Sequence, residues 1–341
     1  MTVPPALESA QRAEHLRLVG RLEEAERIAR SALAENPGEP ALLDALSAVL
    51  LNAGRNAEGL AVAEAAVAAR PDGERGHRLR ALHLSLLGRH EEAVQAGYVC
   101  VTLLPAEPAA HTCYARTLQA AGRLRDALRV AQEVVRLAPN AADSHLLLAD
   151  VASDLRDPTS RALARTAYQE TLRLDPTNAA ARHDLAVLDA RQHHPARALA
   201  GLVDAGRLDP SLPDVLPTVA AVGWQLSWRL RMFLVLATLV MLGLAVSPIG
   251  SRVAAAVTLA AAAGFAWLTT RRLPRGTFAV AVAAVRSDRP LAATWLALGL
   301  CGLVQVVVLV TGLGVLAGLN WLILGALGIL ALIVQLTRRR R

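Results

Sequence analysis

The chain contains no lysine, only three cysteines and, from residue 216 onward, a single acidic side chain, Asp288. The cysteines, Cys100, Cys113 and Cys301, are odd in number and form no CxxC pair, which argues against a disulfide framework or a zinc site. They lie within apolar helical patterns and read as reduced, buried thiols. No HExxH, GxSxG or Walker-type loop is present, nor any paired Cys and His motif. The sequence therefore offers no poised nucleophile, acid-base pair or metal cluster, and it reads as a non-enzyme with no cofactor. Met1 to Arg12 has no basic segment followed by an apolar run, so no signal peptide is expected. With lysine absent, every basic side chain is Arg, a compositional bias from which no function is drawn.

Charge is unevenly divided. Residues 1–215 carry 24 Arg against 28 Asp plus Glu, a balance of −4, whereas residues 216–341 carry 12 Arg and Asp288, a balance of +11. The net charge of +7 therefore does not describe a uniformly basic protein. The excess flanks apolar segments, where membrane topology places it, so nucleic acid is not expected as a partner.

Before Pro210 the chain repeats. Gly20, Gly54, Gly88 and Gly122 recur at intervals of 34 residues. Pro37, Pro71, Pro105 and Pro139 keep the same step, and Pro176 and Pro210 continue it with intervals of 37 and 34. Twelve residues before each proline stands a small residue: Ala25, Gly59, Ala93, Ala127, Ala164 and Ala198. Glycine allows a left-handed turn between two helices, and proline stops the second helix before the next unit. A small side chain is required where two helices cross with axes about 8–10 Å apart. Apolar residues at helical spacing, such as Leu43, Leu46 and Leu50, or Leu124, Ala127, Val130, Ala131 and Val134, supply the faces that stacking buries. Six helix-turn-helix units are expected, about 6–39, 40–73, 74–107, 108–141, 142–178 and 179–212.

Stretches such as GRLEEAERIARSALAENP, GRHEEAVQAGYVCVTLLP, GRLRDALRVAQEVVRLAP and RALARTAYQETLRLDP resemble the tetratricopeptide-repeat (TPR) family, in a form similar to bacterial membrane-anchored TPR proteins. The resemblance covers about residues 6–212. There are departures from the family pattern. His77, His111 and His145 replace the bulky aromatic early in the first helix, the turn glycine is lost at Thr159 and His193, and about three extra residues lie around Asp154 to Pro158. The three in-register histidines fall on successive helices, too far apart to share an ion, and read as packing residues. His193, His194, Asp150, Asp154 and Asp157 read as solvated turn or helix-end residues. The resemblance implies a concave groove lined by the first helix of each unit, binding a protein or peptide partner. Asp44, Asn52, Arg75, Arg78, Arg116, Gln119, Asp150 and His183 are the candidate groove residues. The arginines among them favour an acidic partner. The Lys and Asn set with which some family members grip a C-terminal carboxylate is not matched.

Beyond residue 231 the chain turns almost wholly apolar. Four spans are expected, about 232–249, 253–270, 291–311 and 314–336, in two hairpins, the first closed by a tight Pro248–Gly250 turn. Arg229 and Arg231, the group Arg271, Arg272, Arg275, Arg286 and Arg289, and Arg338–Arg341 all fall on one side, while the other has only Arg252. That bias makes the repeats and the C-terminus cytoplasmic. Several of the five tryptophans, Trp224, Trp228, Trp267, Trp295 and Trp321, lie near the expected interfaces. The apolar run 277–285 is too short to cross and suits a helix lying in the headgroup layer. Gly314, Gly318 and Gly325 suggest a close helix contact, including one between copies of the chain. No charged residue sits in the middle of a span, so the spans read as an anchor.

The expected fold is all-α: a TPR solenoid over 1–215, a juxtamembrane connector over 216–231 and a four-helix transmembrane region over 232–341. The expected function is a scaffold or adaptor tethered to the plasma (inner) membrane, binding a partner peptide or helix. The rival reading is a regulatory or structural component of a small membrane channel or transport complex.

Overall fold

The computed structural model of the chain describes residues 4–212, 215–244, 248–271, 277–320 and 322–327, which form helices and, among themselves, no strand. The chain divides into two compact units, Met1–Pro176 and Thr177–Arg341, so the division falls before the sixth repeat and that repeat belongs to the C-terminal unit.

The N-terminal unit is five antiparallel pairs: α1 (Pro5–Leu18) with α2 (Leu22–Glu35), α3 (Pro40–Asn52) with α4 (Asn56–Ala69), α5 (Glu74–Leu86) with α6 (His90–Leu103), α7 (Pro108–Ala120) with α8 (Leu124–Leu137), and α9 (Ala142–Asp154) with α10 (Pro158–Leu174). Proline opens α1, α3 and α7, where its missing N–H has no partner to lose and its fixed φ suits a first turn. Each first helix contacts the first helix of the next pair as well as its own partner. Leu42, Leu50, Leu84, Leu118 and Leu147 are fully buried between them, each worth about 1.5–3 kcal/mol of apolar burial. Ala25, Ala93, Ala127 and Ala164 are also fully buried, as a close helix crossing demands.

The turns follow one design. Gly20, Gly54, Gly88 and Gly122 adopt φ between 73° and 79°. The next residue closes the helix end: Arg21 N–H donates to Leu16 O at 2.8 Å, and Arg55, Arg89 and Arg123 do the same to Leu50, Leu84 and Leu118. In the fifth pair the left-handed residue is Arg156, φ 59°, one period after Gly122; it is not Thr159. Asp157 then caps α10 by accepting from Ser160 N–H at 2.9 Å. The three extra residues are absorbed by the helix, since α10 has 17 residues against 14 in α8. The phase of the repeat is thus kept by lengthening a helix, not by bulging a loop.

The C-terminal unit contains α11 (Ala179–Arg191), α12 (Pro195–Leu208), α13 (Val215–Leu244), α14 (Pro248–Thr270), α15 (Thr277–Ser287) and α16 (Arg289–Thr311), then a 3-10 turn, Gly314–Ala317. Residues 318–320 and 322–327 are helical. The turn between α11 and α12 uses His193 at φ 61°, with His194 N–H donating to Asp189 O at 2.9 Å. Leu199 and Leu202 of α12, Val219, Val222 and Leu226 of α13, and Leu291 of α16 share one buried cluster.

Two described helices are long and apolar enough to cross a membrane: Pro248–Trp267 within α14, mean hydropathy 1.5, and Arg289–Thr311, mean hydropathy 2.2. They correspond to the second and third expected spans. The expected connector and most of the first span are instead one helix, α13, because nothing after Pro217 in its first turn breaks it; of the span's remaining residues, 245–247 lie outside the described ones and 248–249 belong to α14. Pro248 and Gly250 are not a turn but the opening of α14. The fourth expected span begins as a 3-10 turn, so Gly314 and Gly318 do not share a continuous α-helical face, and its residues 321 and 328–336 lie outside the described ones. Asp288 caps α16, accepting from Leu291 N–H at 3.2 Å and from Trp224 Nε1 at 3.0 Å. Arg231 is buried, its guanidinium over the rings of Trp228 and Trp224 at 5.5 and 5.9 Å.

Candidate interaction groove

The first helices of the first three pairs form the walls of an open groove of about 370 Å³. Leu7, Ala10, Gln11 and Glu14 of α1, spaced by helical turns, line one wall. Ala41, Asp44 and Ala45 of α3 line the other, with Arg70 and Arg75 at the entry to α5. Most of the lining surface is apolar, and Glu14, Asp44, Arg70 and Arg75 are its charged groups.

Asp44 is only 2% exposed. Its Oδ2 accepts from Arg70 Nη2 at 3.1 Å, while Oδ1 has no hydrogen-bond partner among the described residues. Burial holds the carboxyl above its ordinary range, with Arg75 and Arg70 pulling the other way. Across the groove Arg75 pairs with Glu14 at 3.0 Å, and Arg17 also holds Glu14, at 2.9 Å. The hydrogen bond from Arg17 is the main reason the Glu14 carboxyl lies below its usual range, against the opposing pull of burial.

Of the eight candidate residues, the groove brings together Asp44 and Arg75. Asn52 accepts from Arg17 at 3.3 Å, and Arg78 pairs with Glu74 of its own helix at 2.9 Å. Arg116, Gln119 and Asp150 form a second cluster, between α7 and α9. Arg116 donates to Asp150 at 2.8 Å and to Gln119 at 3.1 Å, and Gln119 donates to Asp154 at 2.8 Å. Tyr168 donates to Asp150 at 3.1 Å. His183 belongs to the C-terminal unit, where its Nδ1 meets Asp184 at 2.9 Å.

Sequence reasoning missed Glu14, Arg17 and Arg70, yet the repeat carries a signal for Arg17. Arg17 to Asn52 and Gln119 to Asp154 are the same contact, each joining residues 35 apart, made three periods apart along the stack. Complementary side chains one period apart were therefore readable as bonds between neighbouring first helices, which leaves the arginines less free for an acidic ligand than their spacing suggests.

The in-register histidines have a common structural role. His77, His111 and His145 each bond through Nε2 to the carbonyl of the proline six residues earlier, Pro71, Pro105 and Pro139, at 2.8–2.9 Å. Each imidazole pins the loop between two pairs to the helix that follows it. Cys100 and Cys113 are buried and free, and the Cys113 thiol is pushed well up by its hydrogen bond to Cys100 and by burial. Among the described residues no group of three or more His, Cys, Asp or Glu is placed to hold a metal ion.

Residues 16–82 and 115–160 each match a family model described as tetratricopeptide repeat. Among solved structures, the chain is similar to a tetratricopeptide repeat protein from Parabacteroides merdae, at 14% identity with a TM-score of 0.55, covering 63% of this chain and 82% of that one. It is also similar to a chain of the APC/C hetero-tetramer Cut9-Hcn1, at 13% identity with a TM-score of 0.54, covering 62% of this chain. It spans 42% of the length of that second chain. At such identities the likeness is one of fold. No curated protein matches the chain. Two segments matching the same repeat, in-register glycine turns and small-residue crossings, and two similar helical arrays together identify the repeat region of this chain as a tetratricopeptide-repeat solenoid.

Proposed function

We propose that the chain is a membrane-tethered scaffold whose repeats bind a peptide or helix of a partner protein along their first helices, at the cytoplasmic face of a bilayer crossed by the C-terminal unit. The observation that carries the binding half is the groove between α1, α3 and α5, with a mostly apolar lining and a few charged groups. Tethering is supported by the surfaces of α14 and α16. Only 22% and 28% of their apolar windows are buried, whereas the core helix of a soluble domain hides most of its length. On α16 the buried side runs through Leu291, Leu298, Cys301 and Val308, while Leu296, Leu303 and Val310 are 76%, 59% and 71% exposed. An apolar surface of that kind is costly in water and free of cost in lipid. The cytoplasmic assignment rests on the arginine bias, carried among the described residues by Arg229, Arg231, Arg271, Arg286 and Arg289 against Arg252.

Single-cysteine labelling with a membrane-impermeant maleimide tests both halves of the tether. A cysteine at Asp72 in the repeats should react only after permeabilisation, and one at Ile249 should react in intact cells. The reverse pattern would overturn the orientation, and release of the protein by alkaline carbonate would overturn the tether.

The channel or transport reading is favoured by one observation. Gln305 and Asn320 are fully buried in the C-terminal unit, and their amide groups have no partner among the described residues. An anchor has no need of such groups. Replacing the C-terminal helices with unrelated spanning helices separates the readings: a scaffold keeps partner binding and its cellular role, and a pore component loses the role while keeping the binding.

A further inference from the structure

We infer that the exposed arginines at one end of the C-terminal unit hold the phosphates of anionic phospholipids, so that the chain selects the lipid around it. The inference deepens the tethering half of the reading above and rests on it.

Arginines of the repeats already have acceptors within the chain. Arg17, Arg55, Arg75 and Arg116 each lie 2.7–3.0 Å from a carboxylate. The C-terminal helices are built the other way. From residue 216 onward the sequence has one acid, Asp288, and its carboxylate already accepts from Leu291 N–H and Trp224 Nε1. No ion pair among the described residues includes Arg229, Arg271, Arg286 or Arg289, and all four are exposed.

Packing gathers these four at one end of the helices. Leu226 of α13, Ala284 of α15 and Leu291 of α16 share a buried cluster, with Phe265 of α14 packed against it. Arg229, Arg286 and Arg289 stand within three residues of those contacts, and Arg271 six residues beyond Phe265. The opposite end carries Arg252, whose Nη2 donates to Val310 O at 3.3 Å. From Arg289 to Val310 α16 rises about 32 Å at about 1.5 Å per residue, which matches a hydrocarbon core of about 30 Å. When α16 crosses a bilayer, the four arginines therefore fall near one headgroup layer.

Aromatic rings mark the same boundary. Trp267 is 60% exposed, with the Arg271 guanidinium 4.7 Å from its ring centroid. Phe278 is 82% exposed on α15, a helix that buries Thr277 and Ala284. Exposed rings with guanidinium groups beside them suit the level where acyl chains meet phosphates, and Arg binds phosphate oxygens in bidentate fashion. The phosphate of phosphatidylcholine is neutralised by its own choline. An anionic lipid leaves that charge to the protein, and each basic residue near the surface favours it severalfold. An acidic protein would match the arginines but leave Trp267 and Phe278 in water.

The test uses the full chain reconstituted in phosphatidylcholine bilayers, with quenching of its tryptophans by dibrominated lipids as the readout. Dibrominated phosphatidylglycerol and dibrominated phosphatidylcholine are compared at equal mole fraction. Phosphatidylglycerol should be preferred by about threefold or more at low salt, and by less at about 0.5 M salt, where surface charge is screened. Arg271→Gln/Arg286→Gln/Arg289→Gln should lower the preference by about half or more with unchanged circular dichroism, since none of the three holds a carboxylate. Arg252→Gln, at the far end, should leave it as in wild type. Equal quenching of wild type by the two lipids would overturn the inference and leave the tether standing; quenching by neither would overturn the tether as well. A preference kept in full by the triple variant, or lost equally in Arg252→Gln, would overturn the assignment to these arginines. If the triple variant misfolds, the wild-type protein still decides: a preference that salt does not reduce would overturn the inference.

Discussion

Gly59→Ala should destabilise the repeats by about 2 kcal/mol, although alanine is the better helix former and stands at the equivalent place in every other unit. A Cβ built on Gly59 falls 2.2 Å from His83 Cε1 and 2.4 Å from its Nε2. The imidazole cannot simply move away. It is fully buried, with Nε2 3.1 Å from Ser47 Oγ and Nδ1 3.2 Å from Asn56 Oδ1. Overpacking costs about 1–3 kcal/mol and each disturbed hydrogen bond about 1, while the helix propensity of alanine returns about 1. The remedy is in the sequence. The corresponding pairs in the first, third and fourth units are Ala25 with Val49, Ala93 with Thr117 and Ala127 with Val151, so the smaller residue accompanies the bulkier ring. Gly59→Ala/His83→Val should recover most of the loss, giving a coupling energy above about 1 kcal/mol. Ser47 keeps its bond to Gly59 O in that variant, so no hydroxyl is stranded. Urea unfolding of residues 1–176, followed by circular dichroism, measures both as shifts in midpoint at constant slope. A single variant as stable as wild type, or a double variant no better than the single, would refute the packing argument.

Other outcomes follow from the same structure. Burial holds His83 below the usual histidine range. The unfolded chain therefore takes up a proton first as pH falls through about 6.5, and stability should decline from there toward the folded-state value; His83→Val should remove that slope in a pH series of urea midpoints. Arg156→Gly relieves a left-handed backbone in a residue that disfavours it, and should raise stability by about 0.5–1 kcal/mol in the same assay. Ala127→Leu places a long side chain at a fully buried helix crossing and should cost about 1–3 kcal/mol; an unchanged midpoint would contradict the crossing.

The repeat was legible because its marks are properties of the backbone. A glycine every 34 residues and a proline closing each unit state where helices begin and end whatever the side chains do between them. Where those marks fail, sequence reading slipped. With no glycine in the fifth pair, the repeat spacing points to Thr159 for the turn, whereas the left-handed residue is Arg156 and α10 absorbs the extra residues. The groove was less legible, because a charged side chain facing outward on one helix looks free until the neighbouring helix is seen. Arg116 suggested an acidic ligand, yet Asp150 supplies the carboxylate from within the stack at 2.8 Å. Helix limits in the C-terminal unit were hard to read for the opposite reason: an apolar run has no internal mark, so the connector and the first span could not be told from the single helix α13.

The bonds between first helices also say where a ligand makes apolar contact. Position pairs 35 residues apart run Arg17–Asn52, Leu51–Leu86, Ser85–Ala120 and Gln119–Asp154 along the stack. The outer two are hydrogen-bonded and present polar groups already matched within the chain. The step between the second and third units offers leucines, and Leu86 is 62% exposed. A ligand gains little by competing for matched polar groups and more by covering exposed apolar area, at about 25 cal/mol per Å². Leu86→Glu should therefore weaken binding of any peptide that extends from the Asp44 groove toward the third unit, by about tenfold, while leaving the urea midpoint unchanged, because Leu86 buries too little to hold the stack together. Binding retained in Leu86→Glu but lost in Gln11→Trp, which fills the groove from α1, would confine the ligand to the groove and show that this leucine step is no part of the recognition surface.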